Sequence, residues 1–276
     1  MNEDRVKRVL LVAGIIFMLV FCIAPFVWML AVSLSTNPDF LGSGVDFALS
    51  LKNYVDVLTD RSLHFLDYLR NSLLISGTVA VTCAMIAALG AYSISRIEFR
   101  GRFVLSLAVL AFSMFPQISL IGYLYKFMRS TGLINTYPAL VLPYIAWTTP
   151  LAFWILLSYI IRIPKAFDDA ARADGAGRFL IFRKIIMPVA APGLLSAVLL
   201  VFIAAFNEFL FALMLTTDHA SRTIPVGIAL FEGLHGEIPW GYIMAASAIA
   251  SIPLVVLSTL FQRYVIQDVT RGALKG

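Results

Sequence analysis

The chain has 276 residues, of which 60% are hydrophobic and 13% charged, with a formal net charge of +5 and a mean hydropathy of +0.89. That balance excludes a soluble globular domain and reads as one polytopic membrane domain over residues 1–276. The basic residues stand at the ends of apolar runs and form no patch, which argues against a nucleic-acid partner, and the two cysteines, Cys22 and Cys83, lie inside apolar runs where no disulfide framework is expected.

The first apolar run, residues 9–32, follows Arg5, Lys7 and Arg8 as a signal peptide would. It is longer than a typical h-region and has no clear small-x-small cleavage site, so it is expected to stay as the first span. Bulky Phe21 before Cys22 argues against a lipoprotein site. Residues 33–70 are polar and punctuated by Asn37, Pro38, Gly42 and Gly44, which suggests an extramembrane loop with a short helix over 53–58. Asn71 and Ser72 are candidate caps for a second span reaching residue 95, long enough to cross roughly 30 Å of hydrocarbon. Gly77, Ala80, Ala84, Ala87, Ala88 and Ala91 recur every three or four residues, giving that helix a small-residue face for close packing.

A basic turn over 96–102 leads to a third span over 103–128, with Pro116 and Gln117 near its middle. The proline frees a carbonyl and marks either a pore-lining kink or a tolerated bend. A turn with Gly132 and Asn135 precedes the fourth span over 139–161, which contains Pro143 and Pro150. A fifth span over 193–215 and a sixth over 240–265 complete an all-α arrangement of six transmembrane helices. The loop between these two holds Asp218, His219, Glu232, His235 and Glu237 at spacings that match no ligand pattern, so no metal is expected.

Between the fourth and fifth spans lies a polar, helix-prone island, residues 163–190. Pro164 suits a first helical turn, and Asp168 and Asp169 suit the positive end of the helix dipole. Ala170, Ala171 and Ala173 favour helix, and Gly175 can take the positive φ that ends it, so about three turns are expected. A second amphipathic segment follows, with Phe179, Phe182 and Ile186 on one side and Arg178, Arg183 and Lys184 open to water, until Pro188 and Pro192 break it.

The run Asp169-Ala170-Ala171, three further residues and Gly175, followed by Ile186-Met187-Pro188 and Ala191-Pro192-Gly193, resembles the loop motif of the permease subunits of binding-protein-dependent ABC importers, with Asp169 where that family has Glu. The resemblance extends to Asn53-Tyr54, Asn71-Ser72, Arg96-x-x-Phe99-x-Gly101, residues 132–136, Asn207-Glu208 with Ala212-Leu213, and the terminal 272–276. It looks closest to the smaller permeases of maltose- and trehalose-type importers.

The resemblance implies a type I ABC importer transmembrane domain with a core over about residues 68–266. It implies a complex with a second related permease, two copies of a cytoplasmic ATPase and an extracytoplasmic sugar-binding protein, set among the lipids of a bacterial or archaeal cytoplasmic membrane. Within that complex Asp169, Ala170, Ala171, Asp174 and Gly175 would form the coupling helix seated in the ATPase. The implied cargo is a disaccharide or oligosaccharide such as trehalose or maltose, with another small polar solute as the alternative.

The residues themselves narrow the mechanism. No Gly-x-x-x-x-Gly-Lys-Ser/Thr run occurs, so ATP and Mg are expected on a partner and no cofactor on this chain. A secondary transporter, the first rival, tends to show several intramembrane ionisable groups and matched broken helices. Here only Glu208, beside Asn207, falls well inside a span; with Gln117 these two are the candidates for a substrate pathway. An intramembrane enzyme would need a Ser/His pair, paired carboxylates or a His-Glu-x-x-His helix, and none is present. Of the 21 Lys and Arg residues, 15 fall on one side of the six spans and 6 on the other. The positive-inside rule places both termini and the 163–190 loop in the cytoplasm, with 33–70 and 216–239 outside.

Overall fold

Where lipid replaces water, each backbone N–H and C=O must find its partner within the chain, and the apolar runs accordingly fold as helices. The computed structural model describes the backbone of residues 3–39, 44–46, 49–231 and 238–273, and the side chains of 7–36, 49–231 and 238–262. The elements are α1 (Glu3–Ser33), a short hairpin of β1 (Asn37–Asp39) and β2 (Gly44–Asp46), α2 (Lys52–Thr59), α3 (Phe65–Arg96), α4 (Arg102–Ser113), α5 (Gln117–Ser130), α6 (Tyr137–Arg162), α7 (Ala166–Ala173), α8 (Arg178–Ile181), α9 (Met187–Val189), α10 (Ala191–Phe206), α11 (Leu210–Leu215), α12 (Ile224–Ala229) and α13 (Trp240–Ala273). By length and composition α1, α3, α6 and α13 can each cross a membrane, and six spans result when each of two bent helix pairs counts as one.

The bend in the third predicted span is far sharper than a loosened helix. α4 and α5 meet at 87°. Pro116 has no N–H to give the carbonyl of Phe112, which instead accepts from Phe115 N at 3.1 Å, and the proline itself is extended at ψ 127°. Neither arm alone, at about 1.5 Å per residue, reaches across roughly 30 Å of hydrocarbon. The second bend, 77°, lies between residues 178–189 and α10.

The chain divides into two compact units, residues 1–65 with 228–252, and residues 66–227 with 253–276. In the first, the Asn53-Tyr54 pair ties α2 to the end of α1. Asn53 Nδ2 donates to the carbonyls of Ser33 at 2.9 Å and Ser35 at 2.8 Å, and Tyr54 shares a 2.7 Å hydrogen bond with Ser33 Oγ. A Cβ at position 241 would lie 2.7 Å from the same Asn53 amide, so Gly241 lets the start of α13 approach it.

In the second unit the small-residue face of α3 is buried, with Ala80, Ala84, Ala87, Ala88 and Ala91 inside. α10 packs on α6 at Gly193, where an added Cβ would come within 2.4 Å of the Tyr159 ring. Gly193→Ala is therefore expected to destabilise the detergent-solubilised chain by about 1–3 kcal/mol, the usual range for overpacking. Gly77→Ala, where nothing lies within 4 Å, is the control; thermal unfolding that leaves the two variants equal would dissolve this account of Gly193.

Asn71 and Ser72 are not helix caps, because α3 begins six residues earlier at Phe65. They pin a distant segment instead. Asn71 Nδ2 donates to the carbonyls of Ala220 at 2.8 Å and Arg222 at 3.0 Å, its Oδ1 accepts from Tyr137 at 2.8 Å, and Ser72 Oγ accepts from Ile224 N at 2.8 Å. Asn135, at φ +63°, accepts from Thr217 N at 2.6 Å. His219 shares a 2.6 Å bond with the Tyr68 hydroxyl, and Asp218 accepts from Ser221 N at 2.9 Å. Glu232, His235 and Glu237 lie outside the described residues.

Candidate functional site

The polar island folds as a helix, a glycine turn and a broken second helix. α7 spans eight residues, about two turns and not three, because Pro164 lies outside it and only its carbonyl takes part, accepting from Phe167 N at 3.2 Å. Asp174 caps the helix, Gly175 follows at φ +85°, and two backbone bonds close the end: Gly175 N to Arg172 O and Ala176 N to Ala171 O, both 2.9 Å. This is a Schellman turn, whose left-handed residue is most often glycine.

The faces of α7 divide by helical spacing. Asp168 and Ala171, three residues apart, are buried, while Asp169, Ala170, Asp174 and Gly175 are exposed. Four of the five residues expected to contact an ATPase thus face solvent, and Ala171 packs beneath the helix. Asp169 is 69% exposed and lies 3.6 Å from Arg172, a surface pair of at most about 1 kcal/mol.

Asp168 carries a signal the sequence reading passed over. It is 2% exposed, and its Oδ2 lies 3.0 Å from Nε of Arg96, whose side chain is 4% exposed. The pair is in ionic contact, although the N–H is not aligned as a hydrogen bond and Asp168 accepts none among the described residues. Arg96 also donates through Nη2 to the carbonyl of Ile163 at 2.6 Å.

Beyond Gly175, α8 runs into a π-helical turn over Phe182–Ile186 and then α9. The buried side chains are Ile181 and Ile186, while Phe179 is exposed, so the expected Phe179–Phe182–Ile186 stripe does not form; the wider π turn rotates the face. Pro188 sits in the last turn of the continuous 178–189 run, which ends as expected at the bend before α10, and Pro192 sits in the first turn of α10, where a missing N–H costs nothing.

The three pathway candidates share one cleft. Gln117, Asn207 and Glu208 line a space of about 460 Å³ with Trp147, Ile203 and Leu210. Gln117 and Trp147 also border a neighbouring aromatic cleft with Phe112, Tyr123, Phe127 and Phe211. The cleft lies at the break where α10 ends at Phe206 and α11 starts at Leu210. Glu208 spans that break: Oε1 accepts from Phe211 N at 2.8 Å and Oε2 from Ala212 N at 3.2 Å. Asn207 is exposed and donates to its own helix at Ile203 O, 2.9 Å away, while Nε2 of Gln117 is buried with no partner among the described residues.

Residues 80–271 match the family model described as binding-protein-dependent transport system inner membrane component. The chain belongs to that family. It is 56% identical, over the full length of both chains, to the trehalose/maltose transport system permease protein MalG of Thermococcus litoralis. It is 39% identical to the trehalose transport system permease protein SugB of Mycobacterium tuberculosis, over 93% of each chain. Its fold matches a solved bacterial ABC transporter involved in alginate import, with a TM-score of 0.78 over 96% of this chain and 98% of that one at 22% identity. The chain is thus a membrane permease subunit with the fold of an ABC importer transmembrane domain, a transport component and not an enzyme. The broken fifth span forms one wall of the cleft that holds Gln117, Asn207 and Glu208.

Proposed function

We propose that this permease imports a disaccharide or oligosaccharide of the trehalose and maltose kind. The full-length identity of 56% to a trehalose/maltose permease carries the reading. The cleft supports it, since aromatic rings beside a neutral amide are what a sugar needs from a wall: apolar faces to stack on and directional hydrogen bonds. Gln117 and Asn207 would meet hydroxyl groups, and Glu208 would shape the wall.

In this reading the chain pairs with a second permease, and two copies of a cytoplasmic ATPase, carrying ATP and Mg, dock on α7 of this chain and its counterpart. An extracytoplasmic binding protein delivers the sugar, and both termini lie in the cytoplasm of a bacterial or archaeal cell. Closure of the ATPase pair moves α7, and α6 and α10, joined to the island, carry the displacement to the cleft and alternate its access.

The test is reconstitution of the tagged chain with the second permease, ATPase and binding protein of the same importer. ATP-dependent uptake of labelled trehalose or maltose is expected, with cysteines placed at 175 labelling from inside and at 45 and 225 from outside, in a background without Cys22 and Cys83. Uptake by the lone chain, driven by an ion gradient, would show a secondary carrier; ATP-driven uptake of another solute but neither sugar would refute the cargo. Outside labelling at 175 would reverse the orientation.

A further inference from the structure

The coupling helix is joined to its neighbouring helices by two short non-helical joints. On one side α6 ends at Arg162, and Ile163 and Pro164 follow outside any helix, with Ile163 extended at ψ 123°. On the other, Gly175 takes a left-handed turn and Ala176 and Gly177 precede α8. A displacement of α7 transmitted through these joints alone would be absorbed partly by backbone rotation, as at any loop hinge.

A stiffer attachment exists, and it reaches a helix that is not adjacent in sequence. At the last turn of α3, Arg96 is buried against both the carbonyl of Ile163, at the end of α6, and the carboxylate of Asp168, in α7. One turn earlier, Tyr92 donates to the carbonyl of Arg178 at 3.5 Å, and its ring lies 5.2 Å from that of Phe182. The end of α3 thus holds the island before the coupling helix, within it and after it. The planar guanidinium suits this task, since it can engage a carbonyl and a carboxylate at once, where an ammonium offers a single point of charge.

We infer that Arg96 is a positioning residue that latches α7 to α3 through Asp168 and Ile163, so that motion delivered at the coupling helix enters α3 directly as well as passing along α6 and α10. The inference rests on the importer reading above. A buried ion pair is weak evidence of added stability, because desolvation offsets its attraction, whereas removing one partner strands a buried charge. The role of the pair is therefore sought in geometry, and the two roles are separable by removing both charges together.

The experiment uses the assembled importer in vesicles with Arg96→Met, Asp168→Asn, the double variant and Arg96→Lys, scored by complex recovered, ATP hydrolysed and sugar taken up per ATP. Each neutral single variant strands one charge, and less complex is expected. The double variant strands none: the complex and its stimulated hydrolysis are expected to recover, while uptake per ATP falls roughly tenfold, within the range by which residues between coupled sites alter coupling. Arg96→Lys keeps the charge but cannot hold both partners, and a smaller loss of uptake per ATP is expected with assembly intact, which decides the matter even where the double variant fails to fold. Wild-type uptake per ATP in the double variant or in Arg96→Lys would overturn the latch and leave the pair a structural contact. A wild-type chain that recovers no ATPase would instead overturn the importer reading, and the two failures are told apart because every variant is scored against that reference.

Discussion

Gly175→Val is expected to cut sugar uptake and binding-protein-stimulated ATP hydrolysis about tenfold or more while leaving membrane insertion and permease pairing intact, since a left-handed backbone costs a residue with a Cβ roughly 1–2 kcal/mol and a β-branched one more. The effect should come from the backbone alone. A Cβ at this position meets nothing within 4 Å, and the glycine sits at φ +85°. Valine therefore shifts the chain out of the Schellman turn and releases the bonds from Gly175 N and Ala176 N that close α7. Gly175→Asn, which tolerates a left-handed conformation, should retain most activity. Asp169→Lys should also lower activity by reversing the charge on the exposed face, whereas Asp169→Glu should be tolerated. Uptake and hydrolysis in reconstituted vesicles measure all four. Full coupled transport by both Gly175→Val and Asp169→Lys would mean that this loop does not transmit the stroke.

The glycine turn was legible in the sequence because the need for positive φ is a local property that residue type reveals. The inward and outward faces of α7 were not. Asp168 and Asp169 are the same residue type at adjacent positions, and only the surroundings decide which one meets Arg96. The available hint was the basic residue at the end of the second predicted span, which reads equally well as a topology signal. Asn71 and Ser72 failed for a related reason. A side chain that can cap a helix can equally bond a backbone some 150 residues away, as Asn71 and Ser72 do with Ala220, Arg222 and Ile224, and local spacing cannot distinguish the two. Pro116 announced a break but not its angle. Once the ladder is interrupted, neighbouring packing sets the direction of the second arm, and residue type carries no information about 87°.

The Asn207–Glu208 pair was found from the rule that an ionisable group inside a span must be held by something. What holds Glu208 is backbone. Its two carboxylate oxygens accept from Phe211 N and Ala212 N at the start of α11, so the residue closes the gap that interrupts the fifth span. A buried N–H left without an acceptor costs about 1–3 kcal/mol. Glu208→Leu, which abandons both, is therefore expected to destabilise the chain by on the order of 3 kcal/mol and to abolish uptake through loss of assembled importer. Glu208→Gln keeps one oxygen to accept one N–H and places an amide where the other acceptor stood, so roughly half that loss is expected, with assembly reduced but measurable. The decisive quantity is uptake per recovered complex in the Gln variant. A value near wild type agrees with a carboxylate that builds the wall of the cleft. A value reduced tenfold at normal recovery would show that the charge acts on the cargo itself, and Glu208 would then move from the wall of the pathway to its contacts.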